Sequence, residues 1–347
     1  MKDYELLRDL KKTLASTNVN FLFGAGLSRD YLDALNNIER EITQAQKDED
    51  SDKVLGLKKK YFEESISGNI EIVDETPNSD KDGVLKDYQG FYKSINYLLL
   101  KREDSILTKQ VNVFTTNVDV FSEKSLEVTG IEFNDGFNGR FKPLYSSGNF
   151  KKSYFKKSLH YENTSEIPVF NIIKLHGSVS WKEENDSIVL DKNISGVREA
   201  KKALNTSEFE DCFDTLTLIN PTKKKLEDTV LVRHFYDLLR IYSNELEKEN
   251  TILFVMGFSF CDEHINSLTL QVANSNPTLM IYVFSHGNGV DPVYEKLKNE
   301  AKNKNIVILY PDDGQTKYDL QTITENFFDK LGIIDFEEPD NMADGED

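Results

Sequence analysis

The sequence predicts an α/β protein: an open, parallel, Rossmann-like sheet with helices on both faces and a helical insertion. Three observations carry this expectation. The last third alternates short apolar runs with helical-period segments: strand 251–256, helix 262–274, strand 279–284, helix 291–303, strand 305–310, helix 318–331. That rhythm suits a parallel sheet covered on both sides. Four separated segments of small or polar residues stand out: Phe23-Gly24-Ala25-Gly26-Leu27-Ser28, Thr115-Thr116-Asn117-Val118-Asp119, Leu175-His176-Gly177-Ser178 and Gly257-Phe258-Ser259; three follow β-prone runs, and the His176 segment does too if 169–173 is a strand. Such groups at the carboxyl ends of strands are what an open α/β sheet uses to hold a nucleotide. Third, residues 30–110 become charged and helical in period, as an insertion or small lid would.

Taken in order, Leu6, Leu7, Leu10 and Leu14 recur at helical spacing and predict a first helix over 3–16. Residues 18–23 read as a buried strand, and Gly24 to Ser28 as the turn into a helix. Within 30–110, Leu55, Leu57, Tyr61, Phe62 and Ile66 supply an apolar face, followed by Tyr88, Phe91, Tyr92, Ile95 and Leu98. The polar stretch 74–83, with Pro77 and Gly83, reads as an exposed loop. A strand is expected over 111–115, a helix over 119–128, and an irregular Gly- and aromatic-rich wall over 131–147. Strand 169–174, a hairpin over 178–190 turning at 183–186, strand 215–219 and helix 229–247 complete the middle. The whole of 1–334 is expected to form one domain. Residues 335–347 hold seven acids and no Lys or Arg and read as a solvated, disordered tail.

Composition excludes several function classes. Of 347 residues, 60 are acidic and 42 basic, a net charge of −18, so direct nucleic-acid binding, which needs clustered Lys and Arg, is not expected. The apolar fraction is 38% and the charged fraction 29%, which fits a charge-rich insertion on a well-packed sheet. Only Cys212 and Cys261 occur, too few for a four-cysteine zinc ribbon, so no zinc is expected. Residues 1–14 are charged and lack an apolar signal core. No segment approaches the roughly 20 apolar residues that cross a bilayer. A cytoplasmic location without membrane attachment is the expectation.

The candidate site residues follow from their chemistry. Gly24 and Gly26, on either side of Ala25, remove side chains where backbone must approach a pyrophosphate, and Ser28 adds a hydroxyl. A Gly-Ala-Gly turn is also a common tight strand-to-helix connection, and Arg29 stands where the third glycine of the dinucleotide fingerprint would fall. Asn117 offers a donor and an acceptor to ribose hydroxyls or a water, and Asp119 can orient the site; both types equally favour turns and caps. A histidine side chain can accept a proton from a water or a hydroxyl, which makes His176 the acid–base candidate. Gly257, Ser259 and Ser285 follow apolar strands. Asp262 is placed to cap the next helix and His264 to pack beneath the site, while His160, His234 and His286 have no motif context.

The order of the segments resembles the sirtuin family, whose NAD site combines a GAG-x-S turn, an N-x-D segment, a catalytic His-Gly and a later G-x-S. The resemblance runs discontinuously from about Asn18 to Ser285. The run Gly257-Phe258-Ser259-Phe260-Cys261-Asp262-Glu263-His264-Ile265-Asn266 is similar to divergent bacterial sirtuin-like domains of antiphage systems. That resemblance implies hydrolysis of NAD, with Asn117 and His176 catalytic. It implies that Gly24, Ala25, Gly26, Ser28, Asp119, Gly257, Ser259 and Ser285 bind the nucleotide. The family's G-I-P-x-F-R element is missing from 29–40. The implied function is an NAD glycohydrolase of abortive infection, gated by homo-oligomerisation or by a partner such as a HerA-type ATPase. The alternatives are an NAD-dependent protein deacylase or a catalytically inactive nucleotide-binding assembly module.

Overall fold

A computed structural model of the protein describes residues 2–33, 38–102, 107–157, 163–218, 230–287, 289–311 and 316–333. The β-branched and aromatic runs become seven strands: β1 (Asn18–Phe23), β2 (Gln110–Thr115), β3 (Phe133–Asn134), β4 (Val169–Lys174), β5 (Thr251–Met256), β6 (Leu279–Phe284) and β7 (Ile306–Leu309). All pair in parallel, in the order β7-β6-β5-β1-β2-β4-β3. The α/β expectation holds.

Strand side chains alternate between two apolar layers, as the two-residue repeat of a pleated strand requires. One layer takes Phe21, Phe23, Val113, Phe170, Ile172 and Phe254. It is covered by helices α1 (Lys2–Ser16), α2 (Ser79–Leu100) and α3 (Phe121–Thr129), and by the carboxyl-terminal helical segment. The other takes Leu22, Phe114, Ile173, Leu253, Val255 and Ile281, under α4 (Val230–Leu246), α5 (Glu263–Ser275) and α6 (Pro292–Glu300). In the first layer the α2 ring of Phe91 meets Phe21 and Phe23 edge-on at 5.1 and 5.2 Å, and Tyr92 meets Phe170 at 5.1 Å. A helix drawn from 30–110 is thus part of the sheet's own cover.

Several boundaries differ from expectation. The glycine turn after β1 leads into a four-residue 3-10 turn, Ala25–Ser28, and the next α-helix begins at Ile38. Residues 74–83 are not all loop: Asn78 caps α2 through its side chain, accepting from the Asp80 and Lys81 N–H groups, so Gly83 lies in the helix. The strand expected over 215–219 is absent among the described residues. Thr215 ends the helix Phe209–Asp214, and only Leu218 makes a bridge, to Gly177. The irregular wall contains short strands, β3 on the main sheet and Phe137–Asn138 with Leu144–Tyr145 on a second, antiparallel sheet. That sheet includes the expected hairpin, Trp181–Glu184 and Ser187–Leu190, turned by Asn185 and Asp186 at φ +48° and +57°. The acidic tail and His160 lie outside the described residues.

Candidate functional site

Strand register brings the sequence segments to one edge. Phe284 pairs with Met256, Met256 with Phe23, Phe23 with Thr115, and Thr115 with Lys174. The residues that follow, Ser285, Gly257, Gly24, Thr116 and Leu175, therefore leave five neighbouring strands at the same level. The chain passes from β1 to β2 on one side and returns through β5 on the other. The crevice between β1 and β5 is thus a switch point, where open α/β sheets bind ligands.

At that point two glycine segments are packed backbone to backbone. A Cβ on Gly24 would lie 2.4 Å from the Gly257 carbonyl oxygen, and one on Gly26 2.9 Å from it. Gly257 itself has φ +63°, and a Cβ there would meet the Leu27 nitrogen at 2.7 Å. The Gly26 N–H donates to the Gly257 carbonyl at 3.0 Å. These glycines are required by each other's backbone.

Next to them a buried polar cluster gathers around Asn117. The Ser28 hydroxyl donates to Asp119 Oδ2 at 3.0 Å and lies 3.1 Å from the Tyr88 phenol oxygen. Asn117 Nδ2 lies 3.5 Å from the same phenol, while Asn117 Oδ1 is buried with no partner. The Asn117 N–H donates to Thr115 Oγ1 at 2.9 Å. Asp119 Oδ1 accepts from the N–H of Phe121, the first residue of α3, at 3.1 Å. Lys174, 3% exposed, ends β4 and donates to the Asn117 and Asp119 carbonyls, and its ammonium lies 3.3 Å from Glu123 Oε1. Burial pushes the Glu123 carboxyl up, and the Lys174 charge works against that.

His176, one residue past Leu175, pairs with Asp262: Nε2 lies 2.9 Å from Oδ2. Burial works to raise the Asp262 pKa, but the hydrogen bond and charge of His176 and the N–H groups of Ile265 and His264 outweigh it, holding it at about 2. A carboxylate can only accept, so Nε2 carries the hydrogen and Nδ1 is the nitrogen left to take a proton. Gly177, at φ +78°, turns the chain under the Thr217 carbonyl, 2.4 Å from where a Cβ would stand.

Residues 111–309 match the family model of the SIR2-like domain. The chain belongs to this family. No curated protein matches it. Membership ties the chain to NAD-related chemistry. The matched span contains Asn117, Asp119, His176, Gly257, Ser259 and Ser285; Gly24 to Ser28 and the 30–110 helices precede it.

The candidate residues, inside the matched span and before it, fall into groups. Ser28, Asn117 and Asp119 are joined through one cluster, Gly24, Gly26 and Gly257 through backbone contact, and Ala25 is exposed beside them. Ser259 is partly exposed in the loop before α5. Ser285 stands apart: its hydroxyl donates to the Gly289 carbonyl at 3.2 Å, bracing its own loop. His264 is exposed on the first turn of α5 and does not pack beneath the site. Phe260, in the same loop at φ +55°, holds a strained conformation, its ring 5.0 Å from Phe258 and 6.0 Å from Tyr294. Sequence reasoning missed Tyr88 and Lys174, and saw Asp262 only as a cap. A charged residue closing an apolar strand, immediately before Leu175-His176, was the one available signal for Lys174; a tyrosine at helical spacing carries none. No helix among the described residues is long and apolar enough to cross a membrane.

Proposed function

We propose that this SIR2-like domain is an NAD glycohydrolase, releasing nicotinamide and ADP-ribose. The observation that carries the reading is a histidine oriented by a carboxylate, His176 on Asp262 at 2.9 Å, on the strand next to the one that delivers Asn117 with an unpartnered Oδ1. In the reaction the bond from ribose C1′ to the pyridinium nitrogen breaks, and its electron pair neutralises nicotinamide. The ribose becomes oxocarbenium-like, and water adds its oxygen at C1′. Such a leaving group needs no acid; the water needs an acceptor for its proton. His176 Nδ1 takes that proton, and Asn117 Oδ1 holds a hydroxyl or the water by accepting its hydrogen.

On this reading the chain is the effector of an antiphage system, depleting NAD once self-association or a partner such as a HerA-type ATPase releases it. The test is nicotinamide release from NAD by purified protein, alone and at high concentration, beside NAD binding. His176→Ala and Asn117→Ala should each lower release by about a hundredfold or more while binding survives. Unchanged release in both variants would sink the assignment, and absence of NAD binding by the native protein would sink the reading.

A further inference from the structure

Tyr88 belongs to none of the four motifs and comes from the middle of α2, within the 30–110 segment. Its side chain is 1% exposed, its ring stacked on Phe121 at 5.7 Å and edge-on to Phe23 at 6.1 Å. We propose that Tyr88 is a positioning residue that sets which way the Asn117 amide faces, and so which atom of Asn117 meets the ligand. The role given to that atom rests on the glycohydrolase reading; the orientation is a property of the folded chain alone.

The cluster has few hydrogens to share, and each is committed in turn. Asp119 Oδ2 accepts from Ser28, and its Oδ1 accepts from the Phe121 N–H. A carboxylate has no hydrogen to return, so the single hydrogen of Ser28 is committed to Asp119. Ser28 Oγ, 3.1 Å from the phenol, is then the acceptor for the single hydrogen of Tyr88. The phenol oxygen can now act only as an acceptor, and the amide atom 3.5 Å away must be the donor, Nδ2. A flipped amide would set two acceptors against each other in a buried place, which is costly. The relay Asn117→Tyr88→Ser28→Asp119 thus runs in one direction. It leaves Oδ1, buried and unpartnered, as an acceptor for a hydroxyl: a water or a ribose.

The backbone of Asn117 is held independently. Its N–H is on Thr115 and its carbonyl accepts from Lys174 at 3.4 Å. Removing the phenol hydroxyl therefore frees the amide end and little else. Tyr88→Phe keeps the ring that fills the space between Phe121 and Phe23, so packing is preserved.

The experiment uses full-length protein with the asparagine side-chain amides labelled with nitrogen-15. The Asn117 resonance is assigned by its disappearance in Asn117→Ala. In the native protein its NH2 protons should exchange slowly with solvent. Tyr88→Phe should speed that exchange by about tenfold, the scale of one lost buried hydrogen bond. Ser28→Ala, one link further along, should do the same and serves if Tyr88→Phe fails to fold. With NAD, Tyr88→Phe should lower kcat by roughly three- to tenfold with KM within about twofold, and should cost nothing more in an Asn117→Ala background. Unchanged amide exchange in the variants, or a kcat loss that persists without Asn117, overturns the proposal. If native protein neither binds nor hydrolyses NAD, the glycohydrolase reading falls, while amide exchange still decides the role of Tyr88.

Discussion

Asp262 performs two tasks with one carboxylate. Oδ1 accepts from the His264 and Ile265 N–H groups at the start of α5, and Oδ2 takes His176 Nε2. The cap holds the carboxylate still, and the carboxylate holds the imidazole. Its pKa is lowered to about 2 in the folded chain. A depressed acid contributes stability in full above its unfolded value, near 4, and loses it as pH falls through 2. Asp262→Asn should therefore lower Tm at neutral pH, by on the order of 2 kcal/mol in stability, and the gap to native protein should close between about pH 4 and 2. Thermal unfolding across that range checks it; a gap independent of pH would contradict the assignment. The amide would also donate to Nε2, moving the imidazole hydrogen to Nδ1. If the proposed glycohydrolase reading holds, nicotinamide release should then fall by about a hundredfold or more with NAD binding intact.

At the scale of elements, the same residue type does opposite things in different places. Gly24 follows β1 where any Cβ would meet only backbone, the Gly257 oxygen at 2.4 Å and Phe258 Cα at 2.5 Å. Gly83 sits exposed in α2 with nothing within 4 Å of a Cβ. Gly24→Ala should cost about 2 kcal/mol or more, because backbone on both sides cannot yield. Gly83→Ala should add roughly 0.5–1 kcal/mol by restricting the unfolded chain and favouring helix. Urea midpoints of the two variants test this, and a Gly24→Ala midpoint equal to the native one would refute the close-packed reading. The central strands also carry a ladder of asparagines. Asn112 donates to Asn20 Oδ1, and Asn171 to Asn112 Oδ1, each at 2.9 Å, along the paired register of β1, β2 and β4. A slip by one residue would bury these amides against apolar neighbours, so the ladder holds the register that brings the motifs level.

For the whole molecule, the net charge of −18 is a term opposing compactness. Its local trace is Asp87 on α2, pushed up to about 6 by burial and then by Asp319 and Asp30. Raising salt from low ionic strength to about 0.3 M should screen this repulsion and raise Tm by a few degrees, as differential scanning would read. A fall in Tm would mean that ion pairs such as Lys58 with Glu210 and Asp214, at 2.6 and 3.2 Å, outweigh the repulsion. Those pairs tie the helix Ser51–Tyr61 to Phe209–Asp214, and Arg198 to Asp74 at 2.6 Å makes a second link across the same layer.

The alternation of strand and helix was legible along the chain, because strands buried on both faces must be continuously apolar. The sequence also marked Gly24, Asn117, His176 and Gly257 as strand-end residues, because small and polar types break off an apolar run whether they serve a turn or a ligand. Local spacing failed where long-range partners decide. The strand expected over 215–219 had its apolar pattern, yet among its described residues only Leu218 pairs, through a bridge to Gly177. The glycine turn yields a short 3-10 turn because β1 is followed at once by contact with Gly257. Tertiary structure alone decided that Tyr88, 29 residues before Asn117, shares its cluster, and that Asp262, 86 residues after His176, orients the histidine. Such pairings arise from strand order and from the helix layer packed over it, and neither is written in the spacing of residues along one element.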